Sequence, residues 1–167
     1  DLIGVEHLRL FGLPDQFGLP DAADVVAGTF SKFAGAVGGF VAGPADFIDH
    51  LRHAASAYIF SASLPPMTAA GVYKSFELLD EEPQWRQQLW DNINYFLAGL
   101  KERGFDTGPS RTAVVPLLIR DVEKTMTFNK MIFDEGVYAS PIVHPAVAPA
   151  ESRIRLGVMA THTKEDL

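Results

Sequence analysis

The sequence predicts an α/β chain in two units, a first unit over residues 1–80 and a smaller α+β unit over 81–167 that is incomplete at its end. Three observations carry this reading. Short apolar runs alternate with stretches of helical period in the first half. The acidic "LDEEP" at Leu79–Pro83 interrupts the pattern and marks the boundary. Beyond Gly104 the order becomes strand, helix, strand, strand.

The elements follow in chain order. The first twenty residues contain "FGLP" twice, at Phe11–Pro14 and Phe17–Pro20, and read as a loop or short helical turns rather than a repeat. "ADVVAGTF" at Ala23–Phe30 and "VGGFVAG" at Val37–Gly43 read as two strands joined by a lysine-bearing connection. Pro44 opens a helix with acidic residues in its first turn. "AYIFS" at Ala57–Ser61 reads as a third strand, which Pro65–Pro66 stop while starting a helix to about Leu79. Trp85, Leu89, Ile93, Phe96, Leu97 and Leu100 recur at helical spacing, and Gly104 closes that helix. In the second unit "TAVVPLLI" is a strand, Val122 to about Glu135 a helix, and "VYASPIV" and "RIRLGVMA" are strands. "THTKEDL" has the form of a capped helix start, a Thr followed three residues later by an acid.

Composition bounds the function. The 167 residues are 47% hydrophobic and 21% charged, as in a folded globular protein. The formal net charge of -7 argues against a nucleic-acid partner, because phosphate-backbone affinity needs clustered Lys and Arg. A local anion site built from backbone N–H groups and hydroxyls stays open. No apolar run reaches the roughly 18 residues that span a bilayer, and the first residues lack the basic-then-apolar order of a signal peptide. The absence of cysteine removes disulfides and thiolate metal sites, and the expected location is the cytoplasm.

The stretch "GTFSKFAGAVGGF" at Gly28–Phe40 places one lysine among hydroxyls and small residues. A phosphate loop of Walker type fails on order, since Ser31 precedes Lys32. A solvated turn lysine in a glycine-shaped hairpin is the plain alternative. The third reading is a lysine that forms a Schiff base with a carbonyl cofactor. That chemistry needs hydroxyls for a cofactor phosphate, small residues that admit an aromatic ring, and a strand that fixes the lysine's reach.

The pattern G-T-F-S-K-x-x-G-x-x-G-G-F resembles the pyridoxal-phosphate lysine segment of the α-oxoamine synthase family. "YIFSASLPP" at Tyr58–Pro66 and "SRIRLGVMATHT" at Ser152–Thr163 resemble two further family segments in the same order, and "GVEHLRLFGL" at Gly4–Leu13 resembles the segment that precedes the lysine. The hydroxyl-rich motifs look most similar to serine palmitoyltransferase-like members. The resemblance implies a fold type I pyridoxal-phosphate-dependent transferase, with the end of its large mixed-sheet domain followed by the smaller C-terminal domain. It implies pyridoxal 5'-phosphate as cofactor and decarboxylative condensation of an amino acid with an acyl-CoA to an α-amino ketone. It also implies a homodimer with the active site at the interface. The family's Asp-x-x-His segment, which supplies the pyridine-nitrogen aspartate and the ring-stacking histidine, has no match upstream of Glu6. The chain is therefore expected to be the C-terminal part of a longer enzyme, inactive alone.

Residue roles follow from the same resemblance. Lys32 is the Schiff-base lysine and the acid–base at the substrate Cα, and Thr29 and Ser31 hold the cofactor phosphate. Ser61 and Ser63 reach the phosphate bound by the neighbouring subunit. Arg155 meets the amino-acid carboxylate. Arg153 shares its face in a strand, so spacing alone does not separate the two, and both are open to being solvent-facing charges on an edge strand. His144 lies where some relatives carry a substrate-binding arginine, a departure that bears on substrate recognition. His162 is assigned a structural role, hydrogen-bonding backbone at the helix start. No metal site is expected. Two rival readings share the fold: an aminotransferase, and a subunit that has lost catalysis, against which the presence of Lys32 argues.

Overall fold

The computed structural model describes residues 17–19 and 21–167. The "GVEHLRLFGL" segment and the first "FGLP" lie outside them. The described chain divides into two compact units that meet in sequence between Glu82 and Pro83.

The first unit opens with strands β1 (Val26–Thr29) and β2 (Gly39–Ala42), paired antiparallel with Gly28 opposite Phe40 and Thr29 opposite Gly39. Helix α1 (Ala45–Ala54) follows Pro44 at its N-cap, with Asp46 in the first turn, where a carboxylate favours the positive end of the helix dipole. The short helix α2 (Ser56–Ile59) comes next, and α3 (Pro66–Glu81) starts on Pro66 in its first turn. Phe30, Val72 and Phe76 form the buried core, with Ala34, Ala36, Phe40, Leu64 and Leu79 against it. The core therefore joins the β1–β2 connection to α3.

The expected strand at Ala57–Ser61 is instead α2 and the turn that ends it. Phe60 N–H donates to the Ser56 carbonyl at 3.0 Å, and the Ser61 hydroxyl donates to the Ala57 carbonyl. A five-residue apolar run has too few positions to separate the helical from the extended period. Here the local bonds satisfy the backbone without a partner strand.

In the second unit α4 (Gln84–Glu102) ends at Gly104, whose φ of 80° is the left-handed conformation that glycine adopts without penalty. Phe105 N–H reaches the Leu100 carbonyl and Gly104 N–H the Lys101 carbonyl, the paired bonds of a Schellman motif. Strands β3 (Val114–Leu118), β4 (Ser140–Ile142) and β5 (Arg153–Gly157) form an antiparallel sheet in the order β3-β5-β4. Helix α5 (Val122–Asp134) packs on β4 and β5. Its N-cap, Asp121, accepts from Lys124 N–H at 2.8 Å. A short 3₁₀ turn, Pro149–Glu151, leads into β5.

One face of this sheet is buried and the other is not. Val115, Leu117 and Ile154 are buried, and Val115 clusters with Ile93 and Val158 against Leu89, Trp90, Phe96, Leu97 and Leu100. Each fully buried side chain of this size contributes about 1.5–3 kcal/mol. Trp85, which shares the periodicity of α4, is 45% exposed and stands outside the cluster. The opposite face carries Val114, Pro116, Leu118, Ser140, Ile142, Arg153 and Arg155, all exposed or half-buried.

Asn92 on α4 is buried and donates to the Met159, Ala160 and His162 carbonyls at 3.0, 3.4 and 2.9 Å. The His162 ring in turn accepts from Met159 N–H at 3.3 Å through Nδ1, the backbone-bonding role expected of it. Thr163 and Asp166 exchange the reciprocal bonds of a capping box at 2.7 and 3.3 Å. The Thr163 N–H, and then the Thr163 hydroxyl donating to the same carboxylate oxygen at 2.8 Å, hold the Asp166 carboxyl below its ordinary range.

Candidate active site

Lys32 lies on the connection between β1 and β2, exposed, with its backbone gripped on both sides. Phe30 is 4% exposed and stacks on Phe40 with centroids 5.7 Å apart. Phe33 meets Phe76 edge-on at 4.9 Å. The residues flanking the lysine are thus anchored to the core of the unit while its amine faces out. Lys32 C=O accepts from Gly35 N–H at 3.1 Å, closing a turn over the lysine.

The hydroxyls predicted to serve beside it are together. Thr29 Oγ1 and Ser31 Oγ are 2.9 Å apart, and Ser31 N–H donates to Thr29 Oγ1 at 3.2 Å. Thr29 Oγ1 also donates to the Gly38 carbonyl at 3.3 Å. Across the hairpin the chain tolerates no side chain at Gly39, where a Cβ would stand 2.5 Å from the Gly28 carbonyl oxygen. The result is a lysine and two hydroxyls on one glycine-floored loop, a donor set suited to an aldehyde cofactor that carries a phosphate.

Ser61 and Ser63 sit on the exposed segment between α2 and α3. Ser61 is engaged by the Ala57 carbonyl. Around them Tyr58, Phe60 and Met67 are 64%, 86% and 81% exposed.

Arg153 and Arg155 share the open sheet face, but on the central strand β5 rather than on an edge. Their environments differ. Arg153 Nε donates to the Glu151 carbonyl at 2.7 Å, with the Glu151 carboxylate 3.9 Å from its guanidinium. Arg155 is exposed and makes no ion pair among the described residues. Geometry thus separates two arginines that sequence spacing could not. His144 is exposed beyond the end of β4, joined to Pro145 by a cis peptide bond. Among the described residues no three His, Asp or Glu side chains gather as metal ligands, and no helix is long and apolar enough to cross a membrane.

A family model described as aminotransferase class I and II matches residues 10–167, and the chain belongs to that family. Within it the relatives bear out the α-oxoamine synthase resemblance and the fold type I architecture. A serine palmitoyltransferase of Sphingobacterium spiritivorum is 45% identical over 156 residues, covering 93% of this chain and 39% of the relative. An 8-amino-7-oxononanoate synthase of Petrotoga mobilis is 40% identical over 156 residues, covering 93% and 40%. Among solved structures, one described as a high-resolution structure of SPT with PLP internal aldimine superposes with a TM-score of 0.87 at 33% identity, covering 93% of this chain and 39% of that one. The serine palmitoyltransferase of Sphingomonas wittichii gives 0.86 at 28% identity, with the same coverage. The chain spans about two fifths of the length of the curated relatives it matches.

Proposed function

We infer that this chain serves a pyridoxal-phosphate-dependent acyltransferase that condenses an amino acid with an acyl-CoA to an α-amino ketone, releasing CO₂ and CoA. The supporting observation is the Lys32 loop: an outward amine on a backbone anchored by Phe30 and Phe33, beside the paired hydroxyls of Thr29 and Ser31. When bound, pyridoxal phosphate supplies the electron sink that stabilises charge at the substrate Cα. Lys32 holds the cofactor through Nζ and then, as a free amine, moves the Cα proton. Thr29 and Ser31 hold the phosphate. Arg155 binds the amino-acid carboxylate, for which a guanidinium fork offers two parallel donors. His144, at the position where some relatives carry a substrate-binding arginine, is assigned to substrate recognition in this reading.

The finer reading includes a cytoplasmic homodimer in which Ser61 and Ser63 serve the phosphate of the neighbouring subunit. The exposed Tyr58, Phe60 and Met67 beside them support an apolar interface there. The two sequence units correspond in this reading to the end of the cofactor-binding domain and to the C-terminal domain. The breadth of the matching family model favours one second reading, an aminotransferase, which would pass the amino group to a keto acid and release no CoA from an acyl-CoA.

The test is made on the full-length protein. Pyridoxal phosphate is added, the complex is reduced with borohydride, and the labelled peptide is mapped by mass spectrometry. A pyridoxyl group on Lys32, together with CoA release that Lys32→Ala abolishes, is the expected result. Labelling elsewhere, or none, sinks the reading.

A further inference from the structure

We propose that Ser140 positions Arg155 when substrate binds, accepting a hydrogen bond from its Nε–H as the two terminal nitrogens present an undivided fork to the substrate carboxylate. This rests on the acyltransferase reading and deepens it by naming what aims the arginine.

The argument starts from register. Ser140 on β4 is the residue directly opposite Arg155 on β5, and Pro116 on β3 is opposite it on the other side. Directly opposed residues share a face, with Cβ atoms about 4.5–5.5 Å apart. Of the two neighbours, only Ser140 carries a side-chain acceptor. That separation suits Nε, three bonds beyond Cβ, whereas the terminal nitrogens reach further out from the sheet.

The same face supplies the comparison. Arg153, one pleat away, has its Nε–H tied to the Glu151 carbonyl at 2.7 Å. Across from Arg153 stand Leu118 and Ile142, neither with a side-chain acceptor. Thus Arg153 is restrained along its own strand, and Arg155 has a hydroxyl beside it on the neighbouring strand. Ser140 is half-buried, and its hydroxyl makes no hydrogen bond among the described residues, to Arg155 included, so it is free to accept one when a bound carboxylate draws the guanidinium across the sheet face. An exposed arginine loses much side-chain freedom on binding a ligand. A bond from Nε to Ser140 in the bound state offsets part of that loss and fixes the plane of the fork.

The experiment compares two variants of nearly equal shape, Ser140→Thr and Ser140→Val, with Arg155→Ala in the full-length holoenzyme. The readouts are KM for the amino acid, kcat by CoA release, and the cofactor absorbance change on titrating the amino acid. Expected are an amino-acid KM raised about tenfold in Ser140→Val with kcat within about twofold, and KM near that of the parent in Ser140→Thr, as the loss of a hydrogen bond to a charged group predicts. Equal KM values in the Thr and Val variants, with Arg155→Ala still weakening amino-acid binding, overturn the positioning role alone. An Arg155→Ala enzyme with unchanged amino-acid affinity overturns the carboxylate reading and this inference together.

Discussion

Asp106 accepts a hydrogen bond from Gly108 N–H at 2.9 Å and faces the Arg120 guanidinium at 2.7 Å, and both hold its carboxyl below the ordinary value, the backbone bond most. A carboxyl depressed in the folded state adds stability that is complete above its unfolded pKa and disappears as pH falls through the folded one. Asp166 is depressed in the same direction by Thr163. Thermal stability of the full-length protein is therefore expected to fall below about pH 4. Asp106→Asn should flatten that acid limb, and unchanged curves from pH 5 downward would count against the assignment. Asn92 gives a test of the opposite kind, because its cost does not depend on charge. Asn92→Leu strands the Met159 and His162 carbonyls and is expected to lose about 1–3 kcal/mol in urea unfolding. A loss below a few tenths would mean that water replaces the amide.

The element that matters most to the lysine is α3, since Phe76 touches both sides of the loop through Phe33 and Phe40. Phe76→Ala is expected to cost about 3–5 kcal/mol. It should also weaken retention of pyridoxal phosphate on dialysis, even at a temperature where the variant stays folded; full retention would show that the loop holds its shape without α3. Much at this scale was legible in the sequence. The β1–β2 hairpin, α1, α3, α4 and α5 announce themselves by Pro, Gly and periodicity, and Pro44, Pro66 and Gly104 stand at the helix ends where the pattern puts them, whereas no helix follows Thr163 among the described residues. Ala57–Ser61 was misread because its residues suit either period and only the Ser61 hydroxyl and the local carbonyls decide. The site was legible in part. Lys32 and its hydroxyl neighbours are contiguous, so motif and geometry coincide. What separates Arg153 from Arg155 is a bond to a backbone carbonyl, which no side-chain spacing records. Asn92 left no signal either: in the sequence it is one polar residue among several on α4, and only folding brings three carbonyls to it.

For the whole molecule, the proposed interface around Ser61 and Ser63 can be examined without reference to chemistry. Phe60 is 86% exposed, so a charge there costs the isolated chain little. Phe60→Asp is expected to shift the full-length protein from dimer to monomer in sedimentation and to reduce CoA release with it. A dimer that persists in the variant would place the partner surface elsewhere.

The sheet of the second unit has a further property. Leu118 N–H turns away from β5 to the Asp106 carbonyl, so by the alternation of the strand Pro116 would direct its missing N–H to the same outer side. In the matching register the nitrogen of Pro141 points out from β4. Each outer strand thus lacks a donor at its middle, where another polypeptide would have to pair, while the central strand keeps its full ladder. In the folded chain, therefore, neither edge of this sheet offers a neighbouring strand an unbroken row of donors.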